Sequence, residues 1–375
     1  MSSRPSRVSL FWGTLRGGGV ERVMLTLAEE FLDREIETDI VLMEKKGAYV
    51  DDIPSGARVF DLKVSQVIKG PFALSRYLWQ RRPSVLLTAG YTNRIALLAR
   101  MLAETSTPIV ISEHSTVSVA GSNSSLPDWI LNQLTRWTYP LADHMIAVSE
   151  GVAEDVCRSL GLDRKGFEVI YNPVIGPDTF KRAEETVEHP WFRNTGISVI
   201  LGVGRLVEQK GFSTLLRAFA EVVRARRARL VILGEGEERP VLEQQADALG
   251  ISDHVWMPGF VSNPLKYMAK ASVFVLSSTW EGLPTVLIEA MACGTPLVST
   301  DCPSGPDEIL EGGKHGRLVP VEDPTALANG IEEALEENLQ SASPSALDRF
   351  RRDWVVEQYL DTLGNLAEAT PARLP

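Results

Sequence analysis

The chain has 375 residues, 44% of them apolar and 23% charged, with a formal net charge of −11. That length exceeds an ordinary single domain and suits two domains, each able to bury its own core, and the composition excludes disordered and collagen-like classes. The acidic balance excludes nucleic acid as a partner, since that would need a basic stripe.

The charge is uneven. Residues 1–175 hold 19 Lys and Arg against 20 Asp and Glu, whereas the remaining 200 hold 19 against 29, so only the first half can approach an anionic membrane surface without strong repulsion. No apolar run approaches the ~20 residues that span a bilayer, and the hydrophobic stretch in MSSRPSRVSLFWG is too short for a signal peptide. A cytoplasmic location is expected, with contact at the inner membrane face as an option. Cys157, Cys293 and Cys302 lack zinc-type spacing and are odd in number, which points to reduced thiols.

In chain order, short apolar or β-branched runs alternate with longer amphipathic segments, the pattern of α/β units around parallel sheets. The first half offers strands at 7–12, 35–43, 57–62, 84–89, 108–112, 143–149 and 167–171. The second offers 197–204, 228–234, 254–259, 272–278, 295–300 and 316–320. Each half reads as a Rossmann-like, doubly wound sheet, giving domains at 1–180 and 197–342 joined by a Pro- and charge-rich linker at 181–196. Residues 343–375 form a C-terminal helix and tail that can pack back on the N-terminal domain. Two such domains facing each other would form a cleft lined by strand-to-helix loops.

The first such loop, GTLRGGGVERVM, sets Gly18 and Gly19 at the start of a helix near Val20, where free N–H groups favour an anion; a plain glycine turn is the competing reading. It lacks the Gly-x-Gly-x-x-Gly dinucleotide pattern, as do GVGRLV and GEGEER. The strand at 108–112 runs into Glu113-His114, with Asn123 and several serines beyond. A lone histidine is more often structural, but this one stands at the carboxyl end of a strand.

The segment LPDWILNQLTRWTYPLAD (126–143) carries Trp129, Leu134, Trp137 and Tyr139, and SRYLWQRRP (75–83) carries Arg76, Arg81 and Arg82. Together they fit a shallow membrane-facing patch for a lipid-linked acceptor, and a core helix explains the aromatic spacing equally well.

The second half opens with LGVGRLVEQKGF, in which Arg205 and Lys210 leave a buried strand just before a helix near Phe212. Two cations and a helix N-terminus there suit a diphosphate. After the strand SVFVLSS, the turn TWEGLP leads into a helix with Pro284 at its first position and no good capping side chain before it. Glu281 in that turn can accept from ligand hydroxyls. Glu289, roughly a turn and a half into the helix, is a carboxylate among Val286, Leu287, Ala290 and Met291 and needs partners, such as a ribose diol or protein groups.

These motifs resemble the retaining glycosyltransferases of the two-Rossmann-domain GT-B class, of the glycosyltransferase family 4 or "glycosyl transferases group 1" type. That group includes sucrose-phosphate synthases, phosphatidylinositol mannosyltransferases and many bacterial polysaccharide transferases. The resemblance runs from the glycine loop through GRLVEQKGF to the Glu-x7-Glu stretch, and STDCPSGPDEILEGGKHGRLVP is similar to transferases acting on lipid-linked or polysaccharide acceptors. It implies that Arg205 and Lys210 neutralise a donor diphosphate, that Glu281 with Gly282, Leu283, Pro284 and Thr285 holds the transferred sugar and phosphate, and that Glu289 binds the nucleotide ribose. Gly18 and Gly19 would border acceptor and phosphates, and His114 would contact the donor sugar. The sequence departs from the pattern by a third glycine in the first loop and by the CPSGP insert that shifts Asp307-Glu308.

No Asp-x-Asp pair occurs, so a metal-independent transfer is expected; the resemblance implies a nucleotide-diphosphate sugar as donor, taken here as a UDP-sugar, and no cofactor. A nucleotide-sugar epimerase and an inactive binding subunit are the alternatives. Epimerases lack the Glu-x7-Glu element, and no charged site residue is missing here.

Overall fold

The computed structural model describes residues 4–118, 128–193, 196–336 and 344–369. The chain divides into two compact units, one formed by residues up to Pro173 together with those from Arg352 onward, the other by Val174–Arg351.

The first unit contains β1 (Arg7–Trp12), α1 (Gly19–Asp33), β2 (Glu37–Leu42), β3 (Arg58–Asp61), α2 (Gly70–Arg81), β4 (Val85–Ala89), α3 (Thr92–Ala103), β5 (Ile109–Glu113), α4 (Asp128–Thr138), β6 (His144–Ala147), α5 (Glu150–Leu160) and β7 (Phe167–Val169). Its seven strands lie in the order β3-β2-β1-β4-β5-β6-β7, all parallel. The strands read as near-continuous apolar runs because helices cover both faces. Val8, Leu10 and Trp12 with Ile40, Leu42, Val85 and Leu87 make the core under α1. On the other face Ser9 shares a 2.6 Å hydrogen bond with Tyr77 of α2, whose hydroxyl donates to Asp39 at 2.7 Å.

The second unit contains α6 (Pro177–Ala183), α7 (Pro190–Arg193), β8 (Ser198–Val203), α8 (Phe212–Ala225), β9 (Ala228–Leu233), α9 (Arg239–Ala248), β10 (Val255–Gly259), α10 (Leu265–Met268), β11 (Val273–Leu276), α11 (Thr285–Ala292), β12 (Leu297–Thr300), α12 (Pro306–Leu310), β13 (Arg317–Val319), α13 (Pro324–Glu336) and α14 (Pro344–Leu347). Its six parallel strands run β10-β9-β8-β11-β12-β13. In both sheets the winding reverses beside the first strand, between β1 and β4 and between β8 and β11. Ligands of open α/β sheets bind at such a switch point, outside the strands' carboxyl ends.

Every expected strand is present: the first has the expected bounds of 7–12, that expected at 108–112 is shifted by one residue to 109–113, and the others are trimmed by a residue or more. The segment 181–196 lies within the second unit. There Val187 is buried, and His189, Trp191 and Phe192 meet Trp256 and Tyr267, with His189 stacked on Trp256 at 3.9 Å. The chain then returns to the first unit as α15 (Arg352–Ala369), whose Val355, Val356, Tyr359, Leu360 and Leu363 are buried in that unit's core. Arg34 pins it through Glu357 at 3.1 Å, and Thr362 donates to Glu168 at 2.9 Å.

Candidate active site

The loops after β8 and β11 flank the switch point of the second unit and are tied together. Gln209 donates its side-chain amide to the Trp280 carbonyl at 2.9 Å, and the Thr279 N–H donates to the Gln209 carbonyl at 2.9 Å. Ser277 Oγ donates to the Lys210 carbonyl at 2.8 Å. Close approach is possible because residue 211 is glycine: its φ is +61°, and a Cβ there would sit 2.1 Å from the Ser277 carbonyl oxygen.

This bracing brings two of the expected charges together. Lys210 Nζ donates to Glu281 Oε1 at 2.5 Å, with both side chains largely buried. Ser278, fully buried, donates to the same oxygen at 2.6 Å. No hydrogen bond reaches Glu281 Oε2 among the described residues. Sequence spacing gave no reason to single out Ser278; its signal was a serine three residues before Glu281, at the end of a buried strand.

Arg205 is exposed and makes no ion pair among the described residues. Lys210 lies alongside its neighbour, since a Cβ on Gly204 would touch the Lys210 stem at 3.4 Å. The glycines of GEGEER also find a structural reason: Gly234, at φ +146°, lets the β9 loop press against the Gly204 carbonyl.

Helix α11 begins at Thr285, with Pro284 as its N-cap in extended conformation and no side-chain cap. The expectation of Pro284 at the first helical position is thus off by one: its φ of −68° suits a helix, but its ψ of 97° does not. Gly282, Leu283 and Pro284 are buried in the turn. The turn rests on the CPSGP loop, where Ser304 Oγ donates to the Gly282 carbonyl at 2.8 Å and the Glu281 N–H donates to the Pro303 carbonyl at 3.3 Å. Glu289 is buried one turn into α11, four residues after its start. Helix α8 likewise starts without a side-chain cap, at Gly211. Two helix N-termini therefore open beside the Lys210–Glu281 pair, and their dipoles favour an anion.

In the first unit, Gly18 is the N-cap of α1 and Gly19 its first residue. They differ in openness. A Cβ on Gly18 would meet the Glu21 carboxylate at 2.3 Å, whereas one on Gly19 would meet nothing within 4 Å.

His114 follows β5, and its Nε2 shares a 3.0 Å hydrogen bond with Ser112. The ring is partly buried, and loss of hydration pushes its pKa down to about 4, so it is neutral near pH 7. The adjacent Glu113 turns to the other face of the sheet, where Asn93 donates to it at 2.7 Å and Tyr139 also donates. Burial pushes the Glu113 pKa up to about 7 against those two donors. Asn123 lies outside the described residues.

The aromatic and basic segments divide. Trp129 and Trp137 are exposed, but Tyr139 is buried against Glu113 and Leu134 is half-buried. Arg81 is drawn inward, 4.0 Å from Asp39 and over the Phe60 ring, because Asp39 is a buried carboxylate that needs cations. Arg82 caps the end of α2 in a left-handed conformation. Arg76 stays exposed on the helix face, and Arg82 is exposed at the helix end. The cysteines are free thiols, and burial pushes Cys293 and Cys302 up to about 12, so neither is a ready nucleophile. Among the described residues no group of His, Cys, Asp or Glu converges as a metal cluster.

Two doubly wound parallel-sheet units, the second with its charged loops at the switch point, define a GT-B architecture. The family model "Glycosyltransferase Family 4" matches residues 17–175 and "Glycosyl transferases group 1" matches residues 184–351. An N-acetylgalactosaminyltransferase of Campylobacter jejuni, named for N-acetylgalactosamine-N,N'-diacetylbacillosaminyl-diphospho-undecaprenol, is 31% identical over 88% of this chain and 91% of its own. A second C. jejuni α-1,4-N-acetyl-D-galactosaminyltransferase, named for a diNAcBac-PP-undecaprenol glycan, is 28% identical over 97% and 99%. Anabaena Alr3699/HepE, solved with UDP and glucose, superimposes with a TM-score of 0.77 at 21% identity over 96% and 100%. The chain belongs to the group 1, family 4 glycosyltransferases. It is a transferase, and the epimerase alternative falls away.

Proposed function

We propose that this chain moves a hexose or N-acetylhexosamine from a UDP-sugar to a lipid-linked or polysaccharide glycan, with retention at the anomeric carbon and without a metal. The observation that carries the reading is the buried Lys210–Glu281 pair beside two uncapped helix N-termini. The relatives named for undecaprenol-linked substrates and the UDP complex of the Anabaena structure support the choice of donor and acceptor.

When the bond from the anomeric carbon to the diphosphate breaks, negative charge grows on the β-phosphate. Lys210, Arg205 and the amides opening α8 and α11 stabilise that charge, the task a metal performs elsewhere. Glu281 Oε1 is already engaged by Lys210 and Ser278, which orients the carboxylate and leaves Oε2 to accept sugar hydroxyls. The backbone of Gly282, Leu283, Pro284 and Thr285 borders the sugar and phosphate, and Glu289 takes the ribose hydroxyls. His114, neutral, offers an N–H to the donor sugar; Gly19, with Gly18 beside it, borders the acceptor side. In the front-face route, the departing phosphate oxygen takes the acceptor hydroxyl's proton while the new glycosidic bond forms on the same face.

A panel of nucleotide sugars incubated with purified protein tests this reading through slow donor hydrolysis. One UDP-sugar should be hydrolysed with chelator present, and Glu281→Ala should lower that rate by at least a hundredfold. Full activity in Glu281→Ala would remove this carboxylate from the site.

A further inference from the structure

Alternation along β5 puts Ser112 and His114 on one face of the sheet and Glu113 on the other. Ser112 is held firmly: its carbonyl accepts from Asn93 Nδ2 and from the Gly90 N–H, each at 3.1 Å, and its hydroxyl lies 3.0 Å from His114 Nε2. Burial keeps the His114 ring neutral near pH 7, so one of its nitrogens carries a proton and the other accepts one. Which is which follows from the hydrogen bond at Nε2.

The surroundings of Ser112 decide the direction of that bond. The residue is 1% exposed, and its Oγ reaches no other hydrogen-bond partner among the described residues. Behind it stands Tyr359 of α15, fully buried, whose hydroxyl closes no hydrogen bond at contact distance. Ser112 is the hydrogen-bonding side chain that acts on that hydroxyl, whereas Glu168 acts on it only through charge. Two hydroxyl protons must therefore find acceptors in a buried place, where an unpaired donor costs its full desolvation. If Tyr359 directs its proton at Ser112 Oγ and Ser112 donates to Nε2, both are satisfied. If His114 donated from Nε2 instead, one of the two hydroxyl protons would have no acceptor. The ring proton is then on Nδ1, which has no partner among the described residues on a ring that is only partly buried.

We propose that Ser112, backed by Tyr359, is a positioning residue that locks His114 in the Nδ1–H tautomer, so that the ring meets the donor sugar as a hydrogen-bond donor and never as a base. The inference rests on the reading that sets His114 against the donor sugar, and it removes this histidine as a taker of the acceptor's proton.

Nitrogen-15 spectroscopy of the histidine rings in the full chain near neutral pH tests it, with His114 identified by the resonances lost in His114→Gln. Wild type should show a pyrrole-type Nδ1 and a pyridine-type Nε2. Ser112→Ala should move protons onto Nε2 and lower kcat for donor hydrolysis at least tenfold with a smaller change in KM, and Ser112→Thr should restore both. Tyr359→Phe, which leaves Ser112 free to donate or accept, should give a mixture of tautomers. A protonated Nε2 in wild type overturns the lock. So does a tautomer that neither Ser112→Ala nor Tyr359→Phe alters, and a shift of tautomer with no loss of rate overturns its role in the reaction. An Nδ1–H ring that Ser112→Ala abolishes, in a protein that turns over no nucleotide sugar, leaves the lock standing and sinks the transfer reading.

Discussion

Ser278 has no solvent exposure, and its hydroxyl donates to the Glu281 oxygen that Lys210 also holds. A hydrogen bond to a charged group contributes roughly 1.5–3 kcal/mol, and here most of that goes into fixing the direction of a carboxylate. Ser278→Ala is expected to fold and to lose at least tenfold in kcat with a smaller change in donor KM, while Ser278→Thr restores the rate. Equal kcat in wild type and Ser278→Ala would show that Lys210 alone positions Glu281. Glu113 and His114 give a second prediction, from opposite shifts. Glu113 holds its proton up to about pH 7 when folded but to about 4.5 otherwise, so its contribution is complete below 4.5 and is lost as pH rises through 7. His114 is lowered from 6.5 to about 4, so its contribution is present above 6.5 and is lost as pH falls toward 4. Replacing Glu113 by Gln removes only the first effect. The unfolding free energy of wild type minus that of Glu113→Gln should therefore fall by up to ~3 kcal/mol between pH 4.5 and 7; a flat difference in denaturant titrations across that range would contradict the assignment.

At the scale of elements, the loops after β8 and β11 act as one piece because Gly211 lets them touch. Gly211→Ala must relieve a 2.1 Å approach to the Ser277 carbonyl at a positive φ, and strain of that kind costs about 1–3 kcal/mol before the clash is counted. The expected outcome is a lower thermal midpoint together with loss of donor hydrolysis, both read on the purified variant; an unchanged midpoint would mean that the two loops are not braced there. The strands were legible because each is a short β-branched or apolar run bounded by turn residues, as RVSLFW and SVFVLSS show. Lys210 and Glu281 were legible as charges leaving buried strand ends. What the sequence did not reveal depends on tertiary neighbours. Ser278 matters through the Glu281 oxygen it meets, and the CPSGP loop through the Gly282 carbonyl it supports. Residues 181–196 lack helical periodicity, so their aromatic packing on Trp256 and Tyr267 left no periodic trace. Tyr139 read as either a membrane-facing or a core aromatic because nothing in its segment announced the buried Glu113.

For the molecule as a whole, the second half of the chain folds as its own unit and the last helix then completes the first. Five side chains of α15 are buried in the first unit's core, each contributing about 1.5–3 kcal/mol, against a typical total domain stability of about 5–15 kcal/mol. A chain ending at Arg351 should therefore keep the unfolding transition of Val174–Arg351 and lose cooperative unfolding of the first unit, as read by calorimetry; two intact transitions would contradict this. No helix among the described residues is long and apolar enough to cross a membrane.

The most direct measurement is calorimetric titration of UDP into wild type and Lys210→Ala with chelator present and both proteins shown to be folded. Wild type should bind UDP without metal, and the variant should bind at least tenfold more weakly, a difference of about 1.4 kcal/mol. Equal affinities, or binding by wild type that chelator abolishes, would contradict a diphosphate held by the protein's own cations and helix amides.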